Sequence, residues 1–215
     1  PLTGTASASA SRYSVVAKSP LTGIWGHGKS GGSIGPALKR SGYDGIIFEG
    51  IGPEPIYLWV QDDRVELRSA RHVWGKDTHQ CTDQLISETH AEARVACIGP
   101  AGENGVLFAG IMNDKDRAAG RSGVGTVMGS KRLKAVVVKG TREVPLHDEK
   151  QFASLAQQYL DRFKEASKKQ PPALRTYGTA VTIVGTQSIG VLPTRNFQQG
   201  TFEHWQNIGG EALTE

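Results

Sequence analysis

Glycine clusters divide this 215-residue sequence into short segments. The chain has 27 glycines, concentrated at 22–35, 42–52 and 120–129, and this content is well above the share of roughly 7% that proteins usually have. Glycine adopts backbone conformations that other residues avoid, and it lets the backbone approach a ligand closely. The clusters therefore predict short strands and helices joined by tight turns, some of which lie against a ligand.

The apolar runs between these clusters predict the secondary structure. Periodicity of two, with β-branched residues, predicts strands at 12–18, 43–50, 93–99, 104–112 and 133–140, and a hairpin over 55–70 that turns at Asp62 and Asp63. Helices are predicted at 35–42, at 77–90 with Cys81, Leu85, Ile86 and Thr89 on one side, and from a cap at Asp148 to "KKQPP". This mixture predicts an α+β fold.

Two stretches resemble each other. Residues 30–50, "SGGSIGPALKRSGYDGIIFEG", and 122–140, "SGVGTVMGSKRLKAVVVKG", share a Ser-Gly start, a glycine-rich turn, a Lys-Arg pair and an apolar run that ends at glycine. We interpret them as a duplicated unit of strand, glycine loop, short helix and strand. The prediction is two similar β-rich halves related by a pseudo-twofold axis.

The stretch 23–30, "GIWGHGKS", fits the phosphate-binding loop G-x-x-x-x-G-K-[ST] of many nucleotide hydrolases. That loop needs an acidic metal ligand on a neighbouring strand, and no apolar run that ends in Asp is placed to supply it. Gly26, Gly31 and Gly32 also disfavour the stable helix that the lysine should open. A nucleotide hydrolase therefore remains an alternative, beside a plain glycine turn that exposes a lysine to water.

Charge and cysteine content narrow the classes of ligand. The formal charge of +4 comes from basic residues scattered among acids, which favours a phosphorylated ligand over nucleic acid. Cys81 and Cys97 lack metal-ligand spacing, and we expect ordinary thiols in a reducing cytoplasm. The six histidines likewise lack ligand spacing and are expected on the surface or in packing. No segment predicts a membrane span, and a start at proline leads us to expect a segment of a longer protein.

The block 98–140, "IGPAGENGVLFAGIMNDKDRAAGRSGVGTVMGSKRLKAVVVKG", resembles the aldehyde ferredoxin oxidoreductase family of tungsten and molybdenum pterin enzymes. Further blocks, from "PLTGTASASASRYSVV" to "GVLPTRNFQQGTFEHWQNIGGEAL", extend the resemblance over essentially the whole chain. It implies that residues 1–145 are a duplicated pterin-binding domain without its first segment. Residues 146–215 are then a helical extension toward iron–sulfur and catalytic domains outside this chain.

The resemblance also implies a set of cofactor contacts. Phosphate groups of a bis-pterin cofactor, tungstopterin or molybdopterin, would be held by Arg12, Lys29, Gly31, Arg117, Ala118, Gly120 and Arg121. A magnesium ion would bind the main-chain carbonyls of Lys29 and Ala118. At position 29 the family carries asparagine. The lysine could therefore contact phosphate and weaken the need for magnesium, or turn away while its carbonyl still binds the metal.

The implied activity belongs to the full-length protein. The resemblance implies oxidation of an aldehyde to its carboxylate, with electrons passing through a [4Fe–4S] cluster to ferredoxin or another electron-transfer protein. We assign no catalytic residue here, expect "AGEN" (101–104) to be a structural turn, and expect residues 1–215 alone to be inactive. Family members are often dimers, although the sequence shows no interface signal. A non-catalytic scaffold of the same fold is the other alternative. The resemblance is compatible with tungsten or molybdenum as the metal, and with an aldehyde or an aromatic thioester as the substrate.

Overall fold

The structure is a computed structural model that describes residues 2–169 and 173–214. The chain forms two compact units, Pro1–Ala153 and Ser154–Glu215. The first unit contains the strands. These are β1 (Tyr13–Lys18), β2 (Trp25–Ser30), β3 (Ile56–Gln61), β4 (Arg64–Ser69), β5 (Arg94–Cys97), β6 (Ile111–Asn113), β7 (Arg117–Ala119) and β8 (Leu133–Lys139).

The helices of the first unit are short. They are α1 (Ile34–Arg40), α2 (Thr78–Glu88), α3 (Pro100–Glu103) and α4 (Val124–Ser130). A longer helix, α5 (Glu149–Lys169), begins in this unit and continues into the second. The second unit also holds α6 (Ala173–Tyr177), α7 (Thr182–Ser188) and 3-10 turns at Gly178–Val181 and Trp205–Ile208. The predicted α+β class is confirmed.

The main sheet has the order β4-β3-β8-β5-β6-β7, and β1 and β2 form a separate antiparallel ribbon. Within the main sheet only the β3–β8 pairing is parallel. The central strands β3, β5 and β8 are almost continuously buried, which is typical of strands covered on both faces. The sheet therefore separates two layers of core.

Each face of the sheet packs against its own helices. On one face Leu58 and Val60 pack in a cluster with residues of α1 and α4, including Ile34 and Met128. On the other face Tyr57 and Trp59 pack in a cluster with residues of α2. Alternate residues of one strand thus supply both layers, as the two-residue period of a strand requires.

Local signals predicted several elements correctly. The hairpin of β3 and β4 turns at Asp62, whose φ is 50°. Asp77 caps α2 by accepting a hydrogen bond from the Gln80 amide at 2.8 Å. Asp148 caps α5 in the same way through the Gln151 amide, also at 2.8 Å. The predicted end of α5 at "KKQPP" lies partly outside the described residues.

The predicted strand at 43–50 is wrong. This segment joins no ladder among the described residues, and β4 and β8 already occupy the two edges of β3. It instead lies beside the main sheet, where Ile46 and Phe48 line an apolar groove of about 440 Å³ together with Leu58 of β3. The apolar run at 43–50 therefore reflects packing against the sheet, and not pairing within it.

The strand predicted at 104–112 is also wrong over most of its length. Residues 104–110 form turns and loop, and pairing begins only at Ile111. Gly105 has a φ of 75°, and the Val106 amide donates a hydrogen bond to the Ala101 carbonyl at 3.0 Å. These turn contacts to α3 use backbone groups that a strand would need for its ladder.

Among the described residues, no helix combines the length and the apolar character needed to cross a membrane.

Candidate functional site

Strand β2 separates its side chains sharply between two faces. Gly26, Gly28 and Ser30 are buried, while Trp25, His27 and Lys29 are exposed. This alternation follows from the two-residue period of a strand. It places His27 and Lys29 on the same outer face.

The buried face of β2 lies against β7 and the turn that follows it. A Cβ atom at Gly28 would lie 3.2 Å from the Ala119 Cβ, so glycine permits this close approach. The His27 amide donates a hydrogen bond to the Ser122 Oγ at 3.2 Å. Ser122 itself has a left-handed φ of 70°, a strained conformation for a residue with a side chain. Strands from distant parts of the sequence are therefore held side by side.

Strand β2, strand β7 and the turn after β7 border a cleft of about 580 Å³, which we call the cationic cleft. Its lining residues are His27, Lys29, Ala118, Gly120 and Arg121. The side chains of Ala118 and Gly120 are minimal, so a ligand can approach the backbone there.

The charge of the cationic cleft is positive. Lys29 and Arg121 each carry a permanent charge at neutral pH. Within the described part of the chain, no carboxylate lines the cleft and neither permanent cation forms an ion pair. Such a set of donors suits an anion, and phosphate in particular.

Asn113 fixes β2 from behind the cleft. Its Oδ1 accepts hydrogen bonds from the Tyr13 hydroxyl at 2.9 Å and the Ser30 hydroxyl at 2.8 Å. Its Nδ2 donates to the Gly31 carbonyl at 2.9 Å. Asn113 is fully buried, and the same burial raises the pKa of Tyr13 to about 12. One amide therefore joins β1, β2 and the turn after β2.

Asp114 holds the next part of that turn. Its carboxylate accepts hydrogen bonds from the Ser33 amide at 2.5 Å and the Ser33 hydroxyl at 2.6 Å. Gly32 has a φ of 96°, and a Cβ atom there would overlap the Asp114 carboxylate. The turn between β2 and α1 thus requires both the carboxylate and the glycine.

The structure brings four of the seven predicted contact residues together. Lys29, Ala118, Gly120 and Arg121 all line the cationic cleft. The other three do not line it. Arg12 is exposed just before β1, Gly31 follows β2 with its carbonyl bonded to Asn113, and Arg117 is exposed at the start of β7.

Sequence reasoning missed His27, Asn113 and Asp114. The signal for His27 was present, because it stands two residues before Lys29 and a strand places such residues on one face. Asn113 and Asp114 gave no comparable signal, since their partners lie 80 or more residues away in the sequence. Their contacts depend on the packing of the ribbon on the sheet.

The phosphate-binding-loop interpretation is not favoured. Lys29 and Ser30 lie within β2, which pairs antiparallel with β1 in the register Ser14 to Lys29. A phosphate-binding loop would instead follow a parallel strand and wrap its amides around the phosphate. The pairing of Lys29 and Ser30 in a strand excludes that geometry.

Other chemically reactive side chains lie elsewhere. Cys81 of α2 and Cys97 of β5 are buried free thiols. The described residues contain no group of three or more His, Cys, Asp or Glu side chains that could hold a metal ion. Hydrogen bonding with Cys97 and burial raise the pKa of the Cys81 thiol. Glu103 of the "AGEN" turn forms a buried ion pair with Lys134 and accepts a hydrogen bond from the Gly75 amide at 2.8 Å. These side chains therefore make structural contacts and do not line the cationic cleft.

Together, the fold and the cationic cleft define an α+β domain with a positively charged cleft. The family profile of the aldehyde ferredoxin oxidoreductase N-terminal domain matches residues 1–140, and the profile of domains 2 & 3 of aldehyde ferredoxin oxidoreductase matches residues 154–215. The chain belongs to the aldehyde ferredoxin oxidoreductase family.

Named relatives agree with this assignment. The tungsten-containing aldehyde ferredoxin oxidoreductase of Thermococcus kodakarensis is 45% identical over 100% of this chain and 35% of its own length. That of Pyrococcus abyssi is 45% identical over 99% of this chain and 35% of its own length. An aliphatic sulfonate oxidoreductase, WOR-like subunit, of Pyrococcus furiosus is 36% identical over 87% of this chain and 32% of its own length. The chain thus spans about a third of the length of these relatives.

A solved structure shares the fold. The active site complex BamBC of benzoyl coenzyme A reductase, in complex with 1,5-dienoyl-CoA, superposes with a TM-score of 0.75 at 38% identity. The match covers 78% of this chain and 26% of that chain.

Proposed function

We propose that this chain binds the phosphate groups of a tungsten or molybdenum bis-pterin cofactor in the cationic cleft, as part of a longer oxidoreductase. The observation that carries the proposal is the convergence of Lys29 and Arg121, from two distant segments, on one cleft without a carboxylate in its described lining. The tungsten in the names of the relatives supports the identity of the cofactor.

The residues of the cleft fit a phosphate group. The Arg121 guanidinium can donate two parallel hydrogen bonds to phosphate oxygens, and the Lys29 ammonium supplies a compact charge beside it. Ala118 and Gly120 leave room for a bulky ligand to reach the backbone. When bound, the cofactor supplies the two-electron redox chemistry, while this chain orients its phosphate end.

The remaining predicted contacts lie next to or within the strands β1, β2 and β7. Tyr13 pairs with Ser30 at the end of the ribbon, and Arg12 and Gly31 are the residues next to this pair in the sequence. Arg117 pairs with Asn113 at the start of β7. We include Arg12, Gly31 and Arg117 in the proposed site because a bis-pterin cofactor extends beyond a single phosphate.

The activity of the whole protein is the wider part of the proposal. We propose oxidation of an aldehyde to a carboxylate, with a [4Fe–4S] cluster held by the rest of the protein and ferredoxin as the electron acceptor. The names of the relatives support the aldehyde and the ferredoxin. Two free cysteines are consistent with a reducing cytoplasm. Residues 1–215 alone are expected to be inactive, because the proposed cluster and substrate site lie outside them.

We also propose that the pterin-binding domain, residues 1–145, arose by duplication, with residues 146–215 as its helical extension. In both copies a strand, a glycine turn and a seven-residue helix follow one another: β2 and α1 in the first, β7 and α4 in the second. The copies differ at the end, because residues 133–139 form a central strand whereas 43–50 remain unpaired among the described residues.

The test is the cofactor content of the full-length protein, purified without air, for the wild type and Arg121→Met. Tungsten, molybdenum and iron are measured by mass spectrometry, and pterin by fluorescence after oxidation. We expect a bis-pterin stoichiometry in the wild type. In the variant we expect about a tenfold weaker retention, since a hydrogen bond to a charged group contributes about 1.5–3 kcal/mol.

Arg94→Met is the matched control, because Arg94 is exposed at the start of β5, away from the cleft lining. Equal cofactor content in Arg121→Met and the control would show that the cleft is not the site. Well-folded wild-type protein without pterin, tungsten or molybdenum would overturn the whole proposal in favour of a non-catalytic scaffold.

A further inference from the structure

We infer that the Lys29 ammonium takes the place of a divalent cation in the cationic cleft, so that the phosphorylated ligand is bound without magnesium. This inference rests on the proposed function. It departs from the resemblance, which implies a magnesium ion on the main-chain carbonyls of Lys29 and Ala118.

The side chains of the cleft do not fit magnesium, and main-chain carbonyls are the only protein oxygen atoms that its described lining offers. Magnesium takes oxygen ligands, and carboxylates are its usual protein ligands. The lining residues in the described chain contribute no carboxylate, and Lys29 and Arg121 have no acceptor atom in their side chains. A divalent cation placed between them would be repelled by both.

Lys29 is directed to the cleft by the geometry of β2. Its neighbours Gly28 and Ser30 are buried, so the alternation of the strand sends Lys29 to the opposite, exposed face. The residue lines the cleft together with Arg121. Only a change in the strand register would move the side chain to the opposite face of β2, and the six consecutive pairs between β1 and β2 oppose such a change.

The charge of Lys29 is not used by the protein. Four other lysines of the first unit form ion pairs, Lys39 with Asp44, Lys115 with Asp83, Lys134 with Glu103 and Lys139 with Glu92, whereas others, such as Lys18, form none in the described part of the chain. Lys29 has no such partner in the described part of the chain. The nearby carboxylate of Asp114 is occupied by the Ser33 amide and hydroxyl.

A phosphate anion can be neutralised by a bound cation or by side chains. Lys29 of β2 and Arg121 of the turn after β7 supply two permanent positive charges to the cleft. His27 lies on the same face of β2 as Lys29. The protein therefore provides the countercharge itself.

The experiment measures magnesium, pterin, and tungsten or molybdenum in the full-length protein before and after exhaustive dialysis against EDTA. Wild-type protein, Lys29→Asn and Lys29→Arg are compared. Lys18→Asn is the matched control, because Lys18 is exposed at the end of β1 and does not line the cleft. Circular dichroism establishes that each variant is folded.

We expect the wild type and Lys18→Asn to carry cofactor with far less than stoichiometric magnesium, and to keep the cofactor through dialysis. Lys29→Arg should behave in the same way, because it keeps the charge. In Lys29→Asn we expect stoichiometric magnesium, and about a tenfold fall in cofactor content when EDTA removes it.

Stoichiometric magnesium in the wild type, with loss of cofactor on chelation, would overturn the inference and leave the proposed function standing. Wild-type protein that is folded but contains no pterin before dialysis would remove the proposed function and the inference with it. If Lys29→Asn fails to fold, the wild type and Lys29→Arg decide the question by their magnesium content.

Discussion

Asn113 shows how much of the site depends on one buried side chain. Its amide contacts Tyr13, Ser30 and Gly31, which belong to β1, β2 and the turn after β2. None of these partners lines the cleft, yet together they determine where Lys29 lies. At the residue scale, the site is therefore built by polar contacts behind it as well as by the cations that face the ligand.

Replacing Asn113 by alanine should lower the free energy of unfolding by about 2–3 kcal/mol, because two buried hydroxyls lose their acceptor. Cofactor retention should fall as well, since β2 is no longer fixed. Urea unfolding of purified protein measures the first effect and pterin content the second. Asn104→Ala is the control, because Asn104 is exposed and bonds only locally to the Pro100 carbonyl. A change as small as that of the control would contradict the role given to Asn113.

Tyr13 gives the same network a pH dependence. Burial raises its pKa from 10.0 to about 12. The neutral phenol is thus favoured in the folded state, and its contribution to stability is complete below pH 10 and is lost as the pH rises through 12. From pH 9 to pH 12 the wild type should lose about 2 kcal/mol more than Tyr13→Phe.

Urea unfolding at a series of pH values measures this difference. Tyr159→Phe is the control, because the Tyr159 side chain is 58% exposed. Parallel pH profiles for the wild type and Tyr13→Phe would show that Tyr13 does not ionise on unfolding in this range.

At the scale of elements, the turn between β2 and α1 is the critical connection. Gly32 combines a left-handed φ of 96° with close contact to the Asp114 carboxylate. A side chain at this position meets both backbone strain and a clash, and relief of the clash would break the hydrogen bonds to Ser33. The turn sets the distance between the ribbon and the helix that packs on the sheet.

Gly32→Ala should therefore lower the free energy of unfolding by about 1–3 kcal/mol. Thermal unfolding measures the effect. Gly45→Ala is the matched control, because a Cβ atom at Gly45 would meet no neighbouring atom within 4 Å. An equal effect of the two substitutions would show that the turn tolerates a side chain.

Elements with a local signal were predictable, and those that depend on partners were not. α2 and α5 begin at aspartate caps and follow a helical apolar period, so nearby residues suffice to define them. β2 carries glycine at alternate positions and resembled a loop. Its pairing with β1 makes it a strand, and this pairing is a contact between separate segments.

At the scale of the first unit, one buried ion pair joins several elements. Lys134 of β8 is fully buried and contacts Glu103 of α3, as well as the Lys76 carbonyl at 2.9 Å. Glu103 also accepts the hydrogen bond from the Gly75 amide. The pair thus connects the central strand with α3 and the segment before α2.

Glu103→Gln should lower the free energy of unfolding by about 3–5 kcal/mol, because it leaves a buried ammonium without its countercharge. The control is Glu92→Gln in the pair with Lys139, where the Glu92 side chain is 68% exposed. This control should lower the free energy of unfolding far less, because water screens the exposed Glu92 carboxylate. Denaturant unfolding of the two variants measures the difference, and similar values would contradict the structural role of the buried pair.

The sequence by itself determined the α+β class, the hairpin of β3 and β4, the strand β8, and most of the residues that converge on the cationic cleft. Tertiary structure alone decided that 43–50 is unpaired among the described residues, that 104–110 is a loop, and that His27 joins Lys29 and Arg121. The physical reason is the range of the interactions involved. Caps and turns act between near neighbours, whereas strand pairing and clefts depend on which distant segments pack together.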